Sequence, residues 1–296
     1  MEEEDTMKHG IYYAYWEKEW SADYVQYVEK AARLGFDILE IGGTPLPDYT
    51  GDDVKRLKTA ADANGIRLTV GYGPSAEHNI GNQEVRGKAL EWYKKLFDVM
   101  EQLGSSTLGG ALYSYWPVDY SRPIDKEEDW KNAVEGIQIM AEEAAEYGVN
   151  LNLECLNRFE NHILNTASEG VKFVRETGKA NVWVMLDTFH MNIEETSIAE
   201  AIRTAGSLLG HFHTGECNRM APGKGRTPWR EIGEALRGIG YDKDVVMEPF
   251  VNMGGQVGQD IKVWRPLCGE ITEEQLDQDA KDAVRFQRYM LDGVMD

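Results

Sequence analysis

Two hydrophobic periods alternate along the chain. Short runs rich in apolar and β-branched residues recur at 10–16 (GIYYAYW), 36–43 (FDILEIGG), 66–73 (IRLTVGYG), 106–113 (STLGGALY), 149–155 (VNLNLEC), 182–187 (VWVMLD), 208–214 (LLGHFHT) and 244–249 (DVVMEP). Between them, apolar residues fall at three- and four-residue spacing, as in 21–35, 50–65, 84–104 and 130–148. The first pattern predicts buried strands and the second amphipathic helices. Eight strand–helix repeats over about 250 residues predict an α/β fold, a (β/α)8 TIM barrel in a single domain. An open doubly wound sheet is the competitor. It commonly carries a glycine-rich phosphate loop after its first strand, whereas here that strand runs into the aromatic YYAYWEKEW.

The helix ends carry their own signals. Gly35, Gly65, Gly104, Gly148 and Gly240 each close a helical stretch, where glycine takes the left-handed conformation without steric cost. Thr50 and Gly51 precede Asp52 and Asp53, acidic residues that suit a helix N-terminus. Ser21 has Tyr24 three residues on, so no full capping box forms there. Residues 251–272 are long and irregular, and are expected to fold over the open face before a last helix at 272–294. Residues 1–7 (MEEEDTM) read as an acidic N-terminal extension, with Met7 as the older start, and 8–296 as the barrel.

Composition narrows the function. Hydrophobic residues make up 42% of 296, enough for a sizeable core. No apolar run approaches the roughly 18 residues of a membrane span. The net charge is −20, from 31 basic and 51 acidic residues. That field opposes nucleic acid and anionic membranes, and no Lys/Arg-rich stretch offsets it. Cys155, Cys217 and Cys268 are odd in number and far apart, which is no disulfide framework. A reducing, cytoplasmic location is expected.

Chemistry gathers in the second half. Glu154, Asp187, His213 and Glu248 stand at the ends of strands five to eight, spaced 33, 26 and 35 residues apart, one strand–helix unit each. In a barrel these ends share one face. Three carboxylates and an imidazole converging there are costly unless a divalent cation neutralises them. Three oxygens and one nitrogen suit Mn2+, Co2+ or Mg2+ rather than structural zinc. Four protein ligands leave two octahedral positions for vicinal oxygens of a chelating substrate. Glu154 and Glu248 could also exchange protons with opposite faces of that substrate; the competing reading makes them ligands only.

The residues carrying this cluster resemble the ketose 3-epimerases, the D-tagatose 3-epimerase and D-psicose (D-allulose) 3-epimerase group of the xylose-isomerase-like barrels. The likeness runs from about Lys8 to the C-terminus. It rests on HGIYYAYW, YWPVDYS, LECLNRFENHILNT, VMLDTFHMNIEE, HFHTGECNRMAPGKG and MEPFV. It implies a Mn2+- or Co2+-dependent enzyme that inverts C3 of a free ketohexose, D-fructose to D-psicose or D-tagatose to D-sorbose, through a metal-bound cis-enediolate. By the same likeness, Glu154, Asp187, His213 and Glu248 hold the metal, and Glu154 and Glu248 are the catalytic pair. Glu160, His190 and Arg219 would hold substrate oxygens. Tyr12, Trp16, Gly71, Ala111, Trp116 and Phe250 would wall the far end of the sugar. A homotetramer or homodimer is implied.

Three other readings are open to the same residues. A sugar isomerase of the aldose–ketose or hydroxypyruvate type, or an inosose dehydratase, would share the metal clamp and the barrel. A metal-dependent nuclease of abasic DNA would want more than the six histidines present and a basic groove. A non-catalytic sugar-binding barrel would keep its ligand without turnover.

Overall fold

The computed structural model describes residues 7–121 and 123–293. Of the acidic extension expected at 1–7, only Met7 lies among them, and it is buried. Strands β1 (Lys8–Tyr12), β2 (Ile38–Gly42), β3 (Arg67–Gly71), β4 (Thr107–Gly110), β5 (Asn150–Glu154), β6 (Val182–Asp187), β7 (Leu209–Thr214) and β8 (Asp244–Met247) pair in sequence order. Every pairing is parallel, and β8 returns to β1 to close the barrel. Helices α1 (Val25–Leu34), α2 (Gly51–Asn64), α3 (Arg86–Leu103), α4 (Lys126–Glu146), α5 (Ala167–Thr177), α6 (Thr188–Glu194), α7 (Ile198–Ala205), α8 (Trp229–Gly238), α9 (Gly255–Asp260) and α10 (Glu273–Gln287) follow the alternation. All eight expected strands and the barrel itself are present.

The strands are buried on both sides because side chains fill the barrel and helices cover it. That is why they read as near-continuous apolar runs. The five expected helix-closing glycines all have positive φ, from 64° to 96°. Thr50 caps α2 in a reciprocal box: Asp53 N–H donates to its hydroxyl at 3.3 Å, and Thr50 N–H donates to the Asp53 carboxylate at 3.0 Å. At 21–24, where no box was expected, α1 starts only at Val25, with no side-chain cap.

One irregularity shapes the functional face. β6 and β7 pair Val184 with Leu209 and then Met185 with His211, so Gly210 is passed over as a bulge. Beyond it, His211 and His213 alternate onto the interior side and both are buried. The irregular segment 251–272 contains α9, and Asp260 and Ile261 reach the mouth of the barrel cavity.

Candidate metal centre and active site

Glu154 and Asp187 are the last residues of β5 and β6, His213 is next to last in β7, and Glu248 directly follows β8. Each offers a ligand atom within 4.8 Å of the others. The convergence expected from spacing is therefore present in the structure. Three of the four are buried and Glu248 is half-buried. Neighbouring bonds fix their aim. Tyr113 O–H donates to the Glu154 backbone carbonyl at 2.8 Å. Asp187 caps α6, accepting from Phe189 N–H at 2.6 Å through one oxygen.

Burial pushes the Glu154 carboxyl well above its ordinary range, and the nearby Glu248 and Asp187 charges add to it, against His213 and Arg219. Burial also pushes Asp187 upward, but Arg219, His190 and His213 together hold it below the usual value. Glu154 Oε1 and His213 Nδ1 are buried without a hydrogen-bond partner. Two orphaned acceptor-type atoms among three carboxylates fit a divalent cation, because a cation supplies the missing partner and removes the like-charge cost. Glu154, Asp187, His213 and Glu248 are the residues that would hold it.

The expected substrate-holding trio stands beside this cluster. Arg219 lies in the left-handed region at φ 66°, on the loop after β7. Its Nη1 donates to Glu248 at 3.0 Å and Asp187 at 3.2 Å, and its guanidinium stacks 3.9 Å above the Phe189 ring. His190 Nδ1 accepts from the Asn157 backbone N–H at 3.1 Å. A backbone N–H can only donate, and the two Asn157 donors at 2.8 and 3.1 Å lie closer to Nδ1 than the Arg219 guanidinium does to Nε2 at 3.4 Å, so the neutral tautomer carries its proton on Nε2, which lies 3.7 Å from Glu154. Burial lowers the His190 pKa, against the raising effect of Glu160. Glu160 accepts from Trp116 Nε1–H at 3.0 Å and Asn157 Nδ2–H at 2.8 Å. Burial would raise its pKa, but His190 and Arg219 hold it low. An imidazole, a carboxylate acceptor and a permanent cation thus face one space.

That space is a cavity of about 330 Å³. Of the six residues that the resemblance places around the sugar, Tyr12, Gly71, Ala111, Trp116 and Phe250 line this cavity. Trp16 does not. Its indole stacks flat on Tyr27 at 5.4 Å and donates to Asp277, because the tight turn at Tyr13–Tyr15 carries the chain away from the mouth. Trp20 stands in the wall instead, edge-on to Trp116 and to Phe250, each with ring centroids 6.1 Å apart. Trp20 also donates to Asp260 at 2.8 Å, tying the 251–272 segment to the rim. The sequence reading missed Trp20, Asp260 and Ile261. It also missed Glu40, although a carboxylate inside the apolar run ILEIG was a signal.

A closed parallel barrel with a carboxylate–imidazole cluster at its C-terminal rim defines a class, the xylose isomerase-like TIM barrels, whose family description matches residues 28–267. The chain is 57% identical to a D-psicose 3-epimerase of Ruminiclostridium cellulolyticum, over 97% of this chain and 98% of that one. It is 54% identical to a D-psicose 3-epimerase of Agrobacterium fabrum, over 97% and 100%. The crystal structure of D-psicose 3-epimerase with D-tagatose from Clostridium cellulolyticum H10 superposes with a TM-score of 0.95 at 57% identity, covering 96% of this chain and 99% of that one. This chain belongs to the ketose 3-epimerase family, and it is an enzyme of the isomerase class.

Proposed function

We propose that this enzyme interconverts free ketohexoses at C3, D-fructose with D-psicose or D-tagatose with D-sorbose, and that it works with Mn2+ or Co2+. The observation that carries this reading is the approach of Glu154 and Glu248. They come from strands that are not neighbours, yet their carboxylates meet beneath an aromatic-walled cavity. A bound dication would polarise the C2 carbonyl and make the C3 hydrogen acidic. The chain supplies the rest. One glutamate removes the C3 proton, and the other returns a proton to the opposite face. Each must serve as acid or base, because the reverse reaction exchanges their roles. Arg219 and the Nε2–H of His190 donate to sugar oxygens, and Glu160 accepts from a hydroxyl. Trp20, Trp116 and Phe250 cover the apolar side of the sugar and keep water from the carbanionic stage.

The test is product analysis by sugar chromatography on a ketohexose panel, after chelation and after Mn2+ add-back. D-psicose from D-fructose and D-sorbose from D-tagatose are expected. An aldose product without C3 inversion would instead establish an isomerase, and loss of water an inosose-type dehydratase. Glu154→Gln is expected to cut kcat by at least about 100-fold, the usual reach of a positioned acid–base group. Sugar binding with no turnover in wild-type protein would leave a binding barrel. We further propose a homodimer or homotetramer, read by light scattering after gel filtration. A cytoplasmic location is proposed too, with the three cysteines free. No helix among the described residues is long and apolar enough to cross a membrane.

A further inference from the structure

Glu40 lies in the middle of β2 and is fully buried inside the barrel. One of its oxygens is 2.6 Å from His213 Nε2, and the other is 2.9 Å from His211 Nε2 and accepts from the Thr69 hydroxyl at 2.8 Å. The carboxylate is thus held at three points while it touches His213. The other ring nitrogen of His213, Nδ1, is buried without a partner and lies 3.7 Å from Glu248. A carboxylate can only accept, so each Nε2 facing it carries a hydrogen. In the neutral ring that a cation would require, the Nδ1 lone pair of His213 is then directed at the cluster of Glu154, Asp187 and Glu248.

We propose that Glu40 is a positioning residue of the metal centre: it fixes the His213 ring and keeps its proton on Nε2, so that Nδ1 is the ligand atom. The inference rests on the metal reading above. Its physical basis is general. A ligating histidine commonly donates its second N–H to a carboxylate, which sets the tautomer and the ring orientation. The packing beside Glu40 is built for the same end. A Cβ at Gly71 would stand 3.1 Å from Glu40 Oε1 and 3.2 Å from the Tyr12 ring, so glycine leaves the carboxylate its place. A mere filler of this position would be apolar, since burying a carboxylate among strands carries the desolvation cost of an ion.

The experiment measures Mn2+ affinity of metal-stripped wild-type and Glu40→Gln protein by chelator competition, with circular dichroism to confirm folding. The amide must turn a donor toward one of the two histidines. Binding weaker by about 10- to 100-fold is expected. Equal affinity in a folded variant overturns the proposal and leaves the metal reading standing. Wild-type protein that binds no Mn2+ overturns both. If the variant does not fold, long-range 1H–15N NMR on wild-type protein loaded with diamagnetic Mg2+ decides. A His213 proton on Nε2 upholds the proposal, and a proton on Nδ1 overturns it.

Discussion

At the scale of single residues, the site separates groups whose type announces their work from groups whose work depends on neighbours. Glu154, Asp187, His213 and Glu248 were legible because each ends an apolar run at one-unit spacing. Glu160 and Arg219 were not legible from pattern alone. Taken alone they look like surface charges, and only the loops after β5 and β7 turn them inward. Arg219 shows what that loop supplies. A non-glycine residue at φ 66° is held by its surroundings, here by two carboxylates and the Phe189 face. Lysine would keep the charge and lose both the fork and the stacking. Arg219→Lys is therefore expected to lower kcat/KM for the ketose by about 10- to 100-fold, the range of a lost charged hydrogen bond. The loss should lie mainly in KM if the guanidinium acts as proposed, because a group that holds substrate does so in ground and transition states alike. Steady-state kinetics at matched metal content would show it, and a change within twofold would return Arg219 to a structural role.

At the scale of elements, the period of the sequence predicted which segments are strands but not how adjacent strands register. The bulge at Gly210 illustrates the difference. A lone glycine in LLGHFHT is a signal for a bulge, yet only the closed barrel shows why it must be there. A Cβ at Gly210 would lie 2.3 Å from Asn152 Oδ1 and 2.4 Å from Trp183 Cβ. The bulge brings both His211 and His213 to the interior, so the site depends on it. Gly210→Ala is expected to destabilise the protein by about 1–3 kcal/mol, the range for overpacking. Gly238, at the end of α8, has open space around it. There the same change should be neutral or stabilise by up to about 1 kcal/mol. Urea denaturation of the two variants side by side checks the contrast. Equal effects would mean that general glycine entropy, not the β6–β7 contact, governs position 210. The Trp16 misplacement has a similar origin. The sequence put it directly after a strand, and the turn at Tyr13–Tyr15 then rotated it away while bringing Trp20 to the rim.

At the scale of the whole molecule, two features could each bind divalent cations: the buried cluster, and a surface of net charge −20. They respond differently to salt. Exposed charges are screened over about 10 Å at 0.1 M ionic strength, and buried groups far less. Removing metal with a chelator is expected to lower the melting temperature, and adding Mn2+ to restore it. At a metal concentration of 100 Kd, site binding contributes about 2.7 kcal/mol. For a chain of this size that is about 5 °C, at the shallow end of about 2–4 °C per kcal/mol. The shift should persist in 0.5 M NaCl if the cluster holds the metal, and should collapse if the acidic surface does. Asp187→Asn separates the two further, since it removes one buried ligand charge and leaves the surface almost unchanged. Melting curves of wild type and variant with and without Mn2+, at low and high salt, give the answer. A salt-resistant shift in the wild type that the variant lacks places the stabilising cation among the four strand-end residues. A shift that the variant keeps, or that salt abolishes, places it on the acidic exterior and removes the physical basis for the proposed chemistry.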